Sequence, residues 1–162
     1  MIKVILNGYN GKMGKVISES IKNFPLISIV AGIDRFNTTN TDYPIVSTVL
    51  ECNVDADVLL DFSRPDSLES ILKYGKVNKM PLVICTTGFS EEQLAMIKST
   101  SEIIPIFHSA NMSLGINVVN NILKKISAML YEDFDIEIIE KHHNQKVDSP
   151  SGTALMLANS AR

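Results

Sequence analysis

This 162-residue sequence contains no tryptophan, only two cysteines and no apolar run long enough to span a membrane. Cys52 and Cys85 form no C-x-x-C pair, which is typical of reduced thiols in the cytoplasm. The 15 basic and 18 acidic residues give a net charge of −3, without the basic face that nucleic-acid binding requires. We therefore expect a cytoplasmic protein that binds neither nucleic acid nor membranes.

The remaining composition is typical of an ordinary globular protein, with 45% apolar and 20% charged residues. The N-terminus lacks the long apolar stretch and small-residue cleavage site of a signal peptide. A chain of this length accommodates one large domain, or one domain and part of a second.

Five short apolar runs alternate with amphipathic stretches in the first two thirds of the chain. The runs are 2–6, 27–33, 58–62, 82–85 and 103–107. Short runs rich in Val, Ile and Leu are typical of strands covered on both faces by helices. Segments 12–23, 66–78 and 90–99 predict helices, the second capped by Ser63 and the third opened by a Ser90–Gln93 capping box. The alternation predicts an α/β fold with a doubly wound parallel sheet of the Rossmann type, and segment 36–46 predicts an irregular loop.

The pattern changes after residue 112. Residues 113–130 predict a long helix, 134–139 a sixth strand, 141–149 a polar loop and 154–162 a final helix. We therefore expect a dinucleotide-binding domain over 1–112. Residues 113–162 should form the first, incomplete part of an α+β domain for substrate binding and oligomerisation.

A glycine-rich segment lies directly between the first predicted strand and the first predicted helix. Its spacing is G-x-x-G-x-x-G over Gly8–Gly14. Glycine allows a tight turn and close backbone approach, and a helix N-terminus offers N–H groups to a pyrophosphate. A plain tight turn is the alternative. The position favours a dinucleotide site formed by Gly8, Tyr9, Asn10, Gly11, Lys12 and Met13.

Asp34 ends the second predicted strand, 20 residues after Gly14. A carboxylate at this distance accepts hydrogen bonds from the adenosine ribose of NAD. Arg35 follows, and its guanidinium can pair with a 2′-phosphate, so the site can also accept NADP. The alternative is an ordinary acid at a strand end beside a solvated arginine.

Two further segments follow predicted strands at their carboxyl ends, where open α/β sheets bind ligands. Their small and hydroxyl residues can approach a nicotinamide, although ordinary turns would also contain them. The residues are Thr86, Thr87 and Gly88 after the fourth strand, and Ser109, Ala110, Asn111 and Met112 after the fifth.

Histidine and lysine are concentrated in segment 140–155, EKHHNQKVDSPSGTAL. A zinc site is disfavoured, because adjacent histidines on a strand point to opposite faces and no second Cys/His cluster completes a tetrahedron. The helix start at Ser151–Thr153 can instead bind a carboxylate or phosphate. Lys146 can supply positive charge, and a histidine can donate a proton near neutral pH. A solvated polar loop is the alternative.

This segment resembles the signature of the 4-hydroxy-tetrahydrodipicolinate reductase (dihydrodipicolinate reductase) family of lysine and diaminopimelate biosynthesis. The glycine loop, DFSRP (61–65), TTGF (86–89) and ANMSLG (110–115) resemble the family in the same order. The resemblance implies NADH- or NADPH-dependent reduction of 4-hydroxy-tetrahydrodipicolinate, a cyclic dicarboxylate, by a homotetramer.

The resemblance also implies roles for individual residues. His142 and Lys146 would be catalytic, and His143, Gly152 and Thr153 would bind substrate. Cofactor contacts would come from Gly8–Met13, Asp34, Arg35, Cys85, Thr86, Thr87 and Ser109–Met112. Two positions depart from the family: Cys85 replaces a common Gly, and Met112 replaces a common Phe or Tyr. Both departures could alter cofactor affinity.

Three alternatives remain open from the sequence. The protein could be another Rossmann dehydrogenase acting on a small carboxylate, or a non-catalytic nucleotide-binding module such as a redox sensor. Because family members extend well beyond 162 residues, we also expect a chain that lacks its final part, and such a fragment could bind cofactor without turnover.

Overall fold

The computed structural model describes residues 1–36, 41–144, 146 and 149–161. The chain divides into two units, Met1–His108 and Ser109–Arg162. Parts of the predicted loop 36–46 and of the polar loop 141–149, and the predicted helix end at Arg162, lie outside the described residues. Among the helices that the structure describes, none combines the length and apolar character that a membrane span requires.

The first unit contains a six-stranded parallel sheet in the order β3-β2-β1-β4-β5-β6. The strands are β1 (Ile2–Asn7), β2 (Ile27–Ile33), β3 (Ile45–Val46), β4 (Val58–Asp61), β5 (Leu82–Ile84) and β6 (Ile106–His108). The predicted Rossmann-type α/β fold is confirmed. The order reverses between β1 and β4, and ligands of such sheets bind beside this reversal, at the carboxyl ends of the strands.

Three α-helices connect these strands: α1 (Lys12–Ser20), α2 (Leu68–Asn78) and α3 (Glu91–Ser101). Short 3₁₀ turns cover Ile21–Asn23, Val49–Glu51 and Pro65–Ser67. The core contains side chains from the sheet, such as Ile5 and Leu59, packed with Leu68 and Ile71 of α2 and Ile97 of α3. Burial of these side chains removes apolar surface from water, which stabilises the sheet that positions the loops.

Two local predictions differ in outcome. The capping box is confirmed, because Ser90 accepts from the Gln93 N–H and the Gln93 side chain accepts from the Ser90 N–H. Ser63 is not a helix cap: its hydroxyl donates to Asp61 Oδ1 at 2.5 Å, and the 3₁₀ turn begins after Arg64. A nearby buried carboxylate is the stronger acceptor for that hydroxyl.

The second unit contains α4 (Leu114–Leu130) and α5 (Gly152–Ser160), which pack against each other. The predicted sixth strand over 134–139 is wrong, since these residues have no regular structure and are exposed. A single extended segment cannot form a sheet without a hydrogen-bonding partner, whatever its β propensity. Several apolar side chains of α4, including Leu114 and Met129, are also exposed.

Candidate functional site

The segment from Gly8 to Gly14 requires glycine at two positions, one in the loop after β1 and one in the first turn of α1. Gly8 has a φ of +82°, and a Cβ there would lie 2.4 Å from the Phe62 carbonyl oxygen. A Cβ on Gly14 would lie 2.3 Å from the carbonyl oxygens of Gly8 and Tyr9. The backbone is therefore packed tightly against the start of α1. Gly11 precedes α1, whose first N–H groups have no acceptor within the helix and can bind an anion.

Asp34 is hydrogen-bonded to this loop. Its Oδ2 accepts from the Asn10 N–H at 2.9 Å, and its Oδ1 accepts from the Phe36 N–H at 3.1 Å. The side-chain amide of Asn10 donates to the Phe36 carbonyl. The structure thus brings together two residues that the sequence places 24 positions apart. Each carboxylate oxygen has a further acceptor position, so Asp34 can also receive two hydroxyl groups of a ligand.

Arg35 forms an ion pair with Asp66. The distance from Nη2 to Asp66 Oδ2 is 2.5 Å, and the side chains are 70% and 54% exposed. Asp66 lies in the 3₁₀ turn after β4, and the sequence analysis did not assign it a role. No local sequence signal reveals this pair, because the two residues are 31 positions apart.

A buried carboxylate connects three strands at their carboxyl ends. Asp61, the last residue of β4, is 1% exposed and accepts four hydrogen bonds. Its donors are Asn7 Nδ2 at 2.8 Å, Ser63 N at 3.2 Å, Ser63 Oγ at 2.5 Å and Thr86 Oγ1 at 2.8 Å. Sequence reasoning missed this network, although an acid at the end of an apolar strand signals a satisfied buried charge.

The network holds two segments that were predicted to contact cofactor. Asn7 immediately precedes the glycine loop, and Thr86, itself buried, begins the Thr86–Gly88 segment. Burial and the negative charge of Asp61 raise the pKa of the Cys85 thiol to about 12. Cys85 therefore remains a protonated, weakly reactive thiol at neutral pH. His108 ends β6 beside the Phe89 ring, and burial lowers its pKa.

In the second unit, Glu140 connects the histidine segment to the start of α5. Its Oε1 accepts from the Ser151 N–H at 2.9 Å, and its Oε2 lies 3.4 Å from His142 Nδ1. Hydrogen bonds from Ser151 lower the pKa of the Glu140 carboxyl, with smaller contributions from the charges of His142 and Lys146. The carboxylate thus lies beside His142 and also interacts with the charge of Lys146. Sequence reasoning did not assign Glu140, although it directly precedes the Lys-His-His segment.

The start of α5 is well defined. Ser151 is 3% exposed, and its hydroxyl accepts from the Ala154 N–H at 3.0 Å. Thr153 Oγ1 accepts from the Asn111 side-chain amide at 2.7 Å, so residues predicted for substrate and cofactor contacts meet in one unit. An N-terminal helix end with hydroxyl groups can bind a carboxylate.

The other predicted residues of this segment lie near the surface. His142 and His143 are exposed, Lys146 is half-buried, and the Lys146 N–H donates to the His143 carbonyl at 3.2 Å. In the described parts of the chain, no cluster of three or more His, Cys, Asp or Glu side chains could hold a metal ion.

Comparison with known proteins gives the same family along nearly the whole chain. Residues 2–112 match the family model described as "Dihydrodipicolinate reductase, N-terminus", and residues 115–162 match "Dihydrodipicolinate reductase, C-terminus". The chain is 64% identical over 162 residues to 4-hydroxy-tetrahydrodipicolinate reductase of Clostridium novyi, covering all of this chain and 64% of that protein. It is 50% identical over 159 residues to the reductase of Caldanaerobacter subterraneus, covering 98% of this chain and 62% of that protein.

A solved structure agrees with these matches. The dipicolinate-bound dihydrodipicolinate reductase from Paenisporosarcina sp. TG-14 superposes with a TM-score of 0.72 at 29% identity, covering 99% of this chain and 65% of that chain. The chain spans slightly less than two thirds of the length of these relatives. Because both family models match in order and together cover most of the sequence, the chain belongs to the dihydrodipicolinate reductase family.

Proposed function

We propose that the protein reduces 4-hydroxy-tetrahydrodipicolinate to tetrahydrodipicolinate with NADH or NADPH, in lysine and diaminopimelate biosynthesis. The substrate takes up one hydride and one proton, and its 4-hydroxyl group leaves as water. Family membership supports the reaction. The structural observation that carries the cofactor part is the 2.9 Å hydrogen bond from the Asn10 N–H to Asp34. It joins the glycine loop and the ribose-binding acid into one surface beside the sheet reversal.

The residues of the first unit fit a dinucleotide. At Gly8 a side chain would collide with backbone, and the α1 N-terminus offers N–H groups to a pyrophosphate. Asp34 retains acceptor positions for ribose hydroxyls. When bound, the reduced nicotinamide supplies a hydride. Its binding residues would be Gly8–Met13, Asp34, Arg35, Cys85, Thr86, Thr87 and Ser109–Met112.

The second unit would bind and protonate the substrate. One substrate carboxylate would accept from the N–H groups at Gly152 and Thr153, where the helix dipole favours negative charge. His143 and Lys146 would add hydrogen bonds and positive charge. His142 or Lys146 would donate the proton, and Glu140 would orient the imidazole of His142 through Nδ1.

We further propose that the functional assembly is a cytoplasmic homotetramer, with a dinucleotide-binding domain over 1–112 and the first part of the substrate domain over 113–162. Family resemblance supports the assembly. Size-exclusion chromatography with light scattering tests it, and a monomer at micromolar concentration would contradict it.

The reaction is tested with the substitution Lys146→Ala. We expect this variant to lose most turnover with 4-hydroxy-tetrahydrodipicolinate, followed by nicotinamide absorbance, while still binding NADH. Lys141→Ala is the matched control, because Lys141 is an exposed lysine of the same segment, and it should retain turnover. A Lys146→Ala protein as active as the unsubstituted one would refute the role.

The cofactor site is tested with Asp34→Ala. In calorimetric titrations the variant should lose more affinity for NADH than for NADPH, because NADH binding depends on the ribose contact. An equal loss for both cofactors would argue against this contact. Cofactor binding by the unsubstituted chain without any turnover would instead favour the alternative of an NAD(P)-binding fragment that is not catalytic by itself.

A further inference from the structure

We infer that Asp66 is a specificity-determining residue that biases the protein towards NADH by occupying Arg35. The inference rests on the proposed NAD(P)H-dependent function. Arg35 is the guanidinium next to the predicted ribose-binding acid, and the structure pairs it with Asp66 at 2.5 Å. A 2′-phosphate would therefore meet a guanidinium that already has an anionic partner.

Asp66 lies in a turn whose backbone is held by several hydrogen bonds. Ser67 N–H donates to the Arg64 carbonyl at 3.1 Å, and the Ser67 hydroxyl donates to the same oxygen at 2.8 Å. The Gln93 side chain of α3 donates to the Pro65 carbonyl at 2.9 Å. These bonds hold the backbone on both sides of Asp66, and the Arg35 side chain reaches its carboxylate.

The charges around Arg35 disfavour a phosphate more than a hydroxyl. Asp66 places a carboxylate directly on the guanidinium, and Asp34 is the neighbouring residue in the chain. A 2′-phosphate adds about −1.5 to −2 charges at pH 7, as phosphate monoesters do. It would need to displace Asp66 or bind beside it. A ribose hydroxyl needs only the acceptor positions of Asp34, and Asp66 does not oppose it.

The expected bias is moderate. Both side chains of the pair are more than half exposed, and exposed ion pairs are weak and screened by salt. A guanidinium has five N–H donors, so a phosphate can still reach other edges of Arg35. We expect Asp66 to weaken NADPH binding about three- to tenfold, which corresponds to about 0.7–1.4 kcal/mol. NADH binding should change less than about twofold, because NADH has no 2′-phosphate for the Asp66 carboxylate to repel.

The experiment measures the Kd of NADH and of NADPH for the protein by isothermal titration calorimetry at low ionic strength. Asp66→Asn should tighten NADPH binding by the stated factor while leaving NADH binding within about twofold. Glu69→Gln is the matched control, because it removes an exposed negative charge from the first turn of α2 without touching Arg35. For this control, the ratio of the NADPH Kd to the NADH Kd should remain that of the unsubstituted protein.

The same substitution in an Arg35→Gln protein shows whether the effect of Asp66 on NADPH binding depends on Arg35. In Arg35→Gln protein, adding Asp66→Asn should no longer change the ratio, and raising the salt concentration should reduce the effect in the original background. If both cofactors bind and Asp66→Asn leaves the ratio unchanged, or changes it equally without Arg35, the inference is wrong and the proposed function stands. If neither cofactor binds the unsubstituted protein, the proposed function fails, and the inference fails with it.

Discussion

The buried carboxylate of Asp61 allows a quantitative test of what holds the cofactor side of the sheet together. Asp61→Ala removes the acceptor of four hydrogen bonds and leaves Asn7 Nδ2 and Thr86 Oγ1 buried without it. Each buried donor that loses its acceptor costs about 1–3 kcal/mol. Two such donors together predict a loss of about 2–6 kcal/mol in the free energy of unfolding, against a typical total of about 5–15 kcal/mol.

The measurement is urea unfolding followed by far-ultraviolet circular dichroism, because the sequence has no tryptophan. Asp61→Asn keeps the shape and one acceptor oxygen, so its loss should be smaller, about 1–2 kcal/mol. Asp55→Ala is the control: Asp55 is 89% exposed and, in the described structure, pairs with Lys3 at 2.5 Å, so its loss should be far smaller than that of Asp61→Ala. An Asp61→Ala protein within about 1 kcal/mol of the unsubstituted one would refute the reasoning.

Three further predictions concern other parts of the two units. Gly8→Ala should destabilise the first unit by more than about 2 kcal/mol in urea unfolding. The loss should exceed that of Gly88→Ala, because Gly88 has the same φ but a Cβ there would meet Pro65 Cγ at an ordinary contact distance of 3.9 Å; equal losses would contradict the collision. The pKa of about 12 predicts that iodoacetamide modifies Cys85 at pH 8 about a thousandfold more slowly in the native protein than in urea, and equal rates would show an accessible thiolate. Since Ser151 lowers the pKa of Glu140, their contact should persist above the usual Glu value of about 4.3 and be lost as the pH falls through the lowered folded value. Hydrogen exchange of the Ser151 N–H, followed by NMR, should show that loss only under acid conditions, and disruption at pH 6 would contradict it.

Local patterns in the sequence predicted much of the first unit. Five apolar runs marked five of the six strands, and the Ser90–Gln93 capping box marked the start of α3. The Gly8–Gly14 spacing also predicted a tight turn with close backbone approach between the first strand and the first helix. These features depend on neighbours within a few residues, so periodicity, capping and turn chemistry are sufficient to indicate them.

Pairing between distant segments was not predictable in this way. The two-residue strand Ile45–Val46 forms because Gly32 and Ile33 offer a free edge, although its own segment is polar and irregular in sequence. Conversely, the apolar run 134–139 has strong β propensity and forms no strand. Propensity selects an extended backbone, but only a partner strand satisfies its N–H and C=O groups.

The sequence by itself determined the fold class, the glycine loop and the chemical types available at each strand end. Only the tertiary structure decided which of those groups act together: Asp34 with Asn10, Arg35 with Asp66, and Glu140 with Ser151. Short-range patterns in a chain carry no record of these partners, which are 11 to 31 residues apart. Folding brings them within hydrogen-bond distance, and hydrogen bonds and charge attraction between such groups act only at that short range.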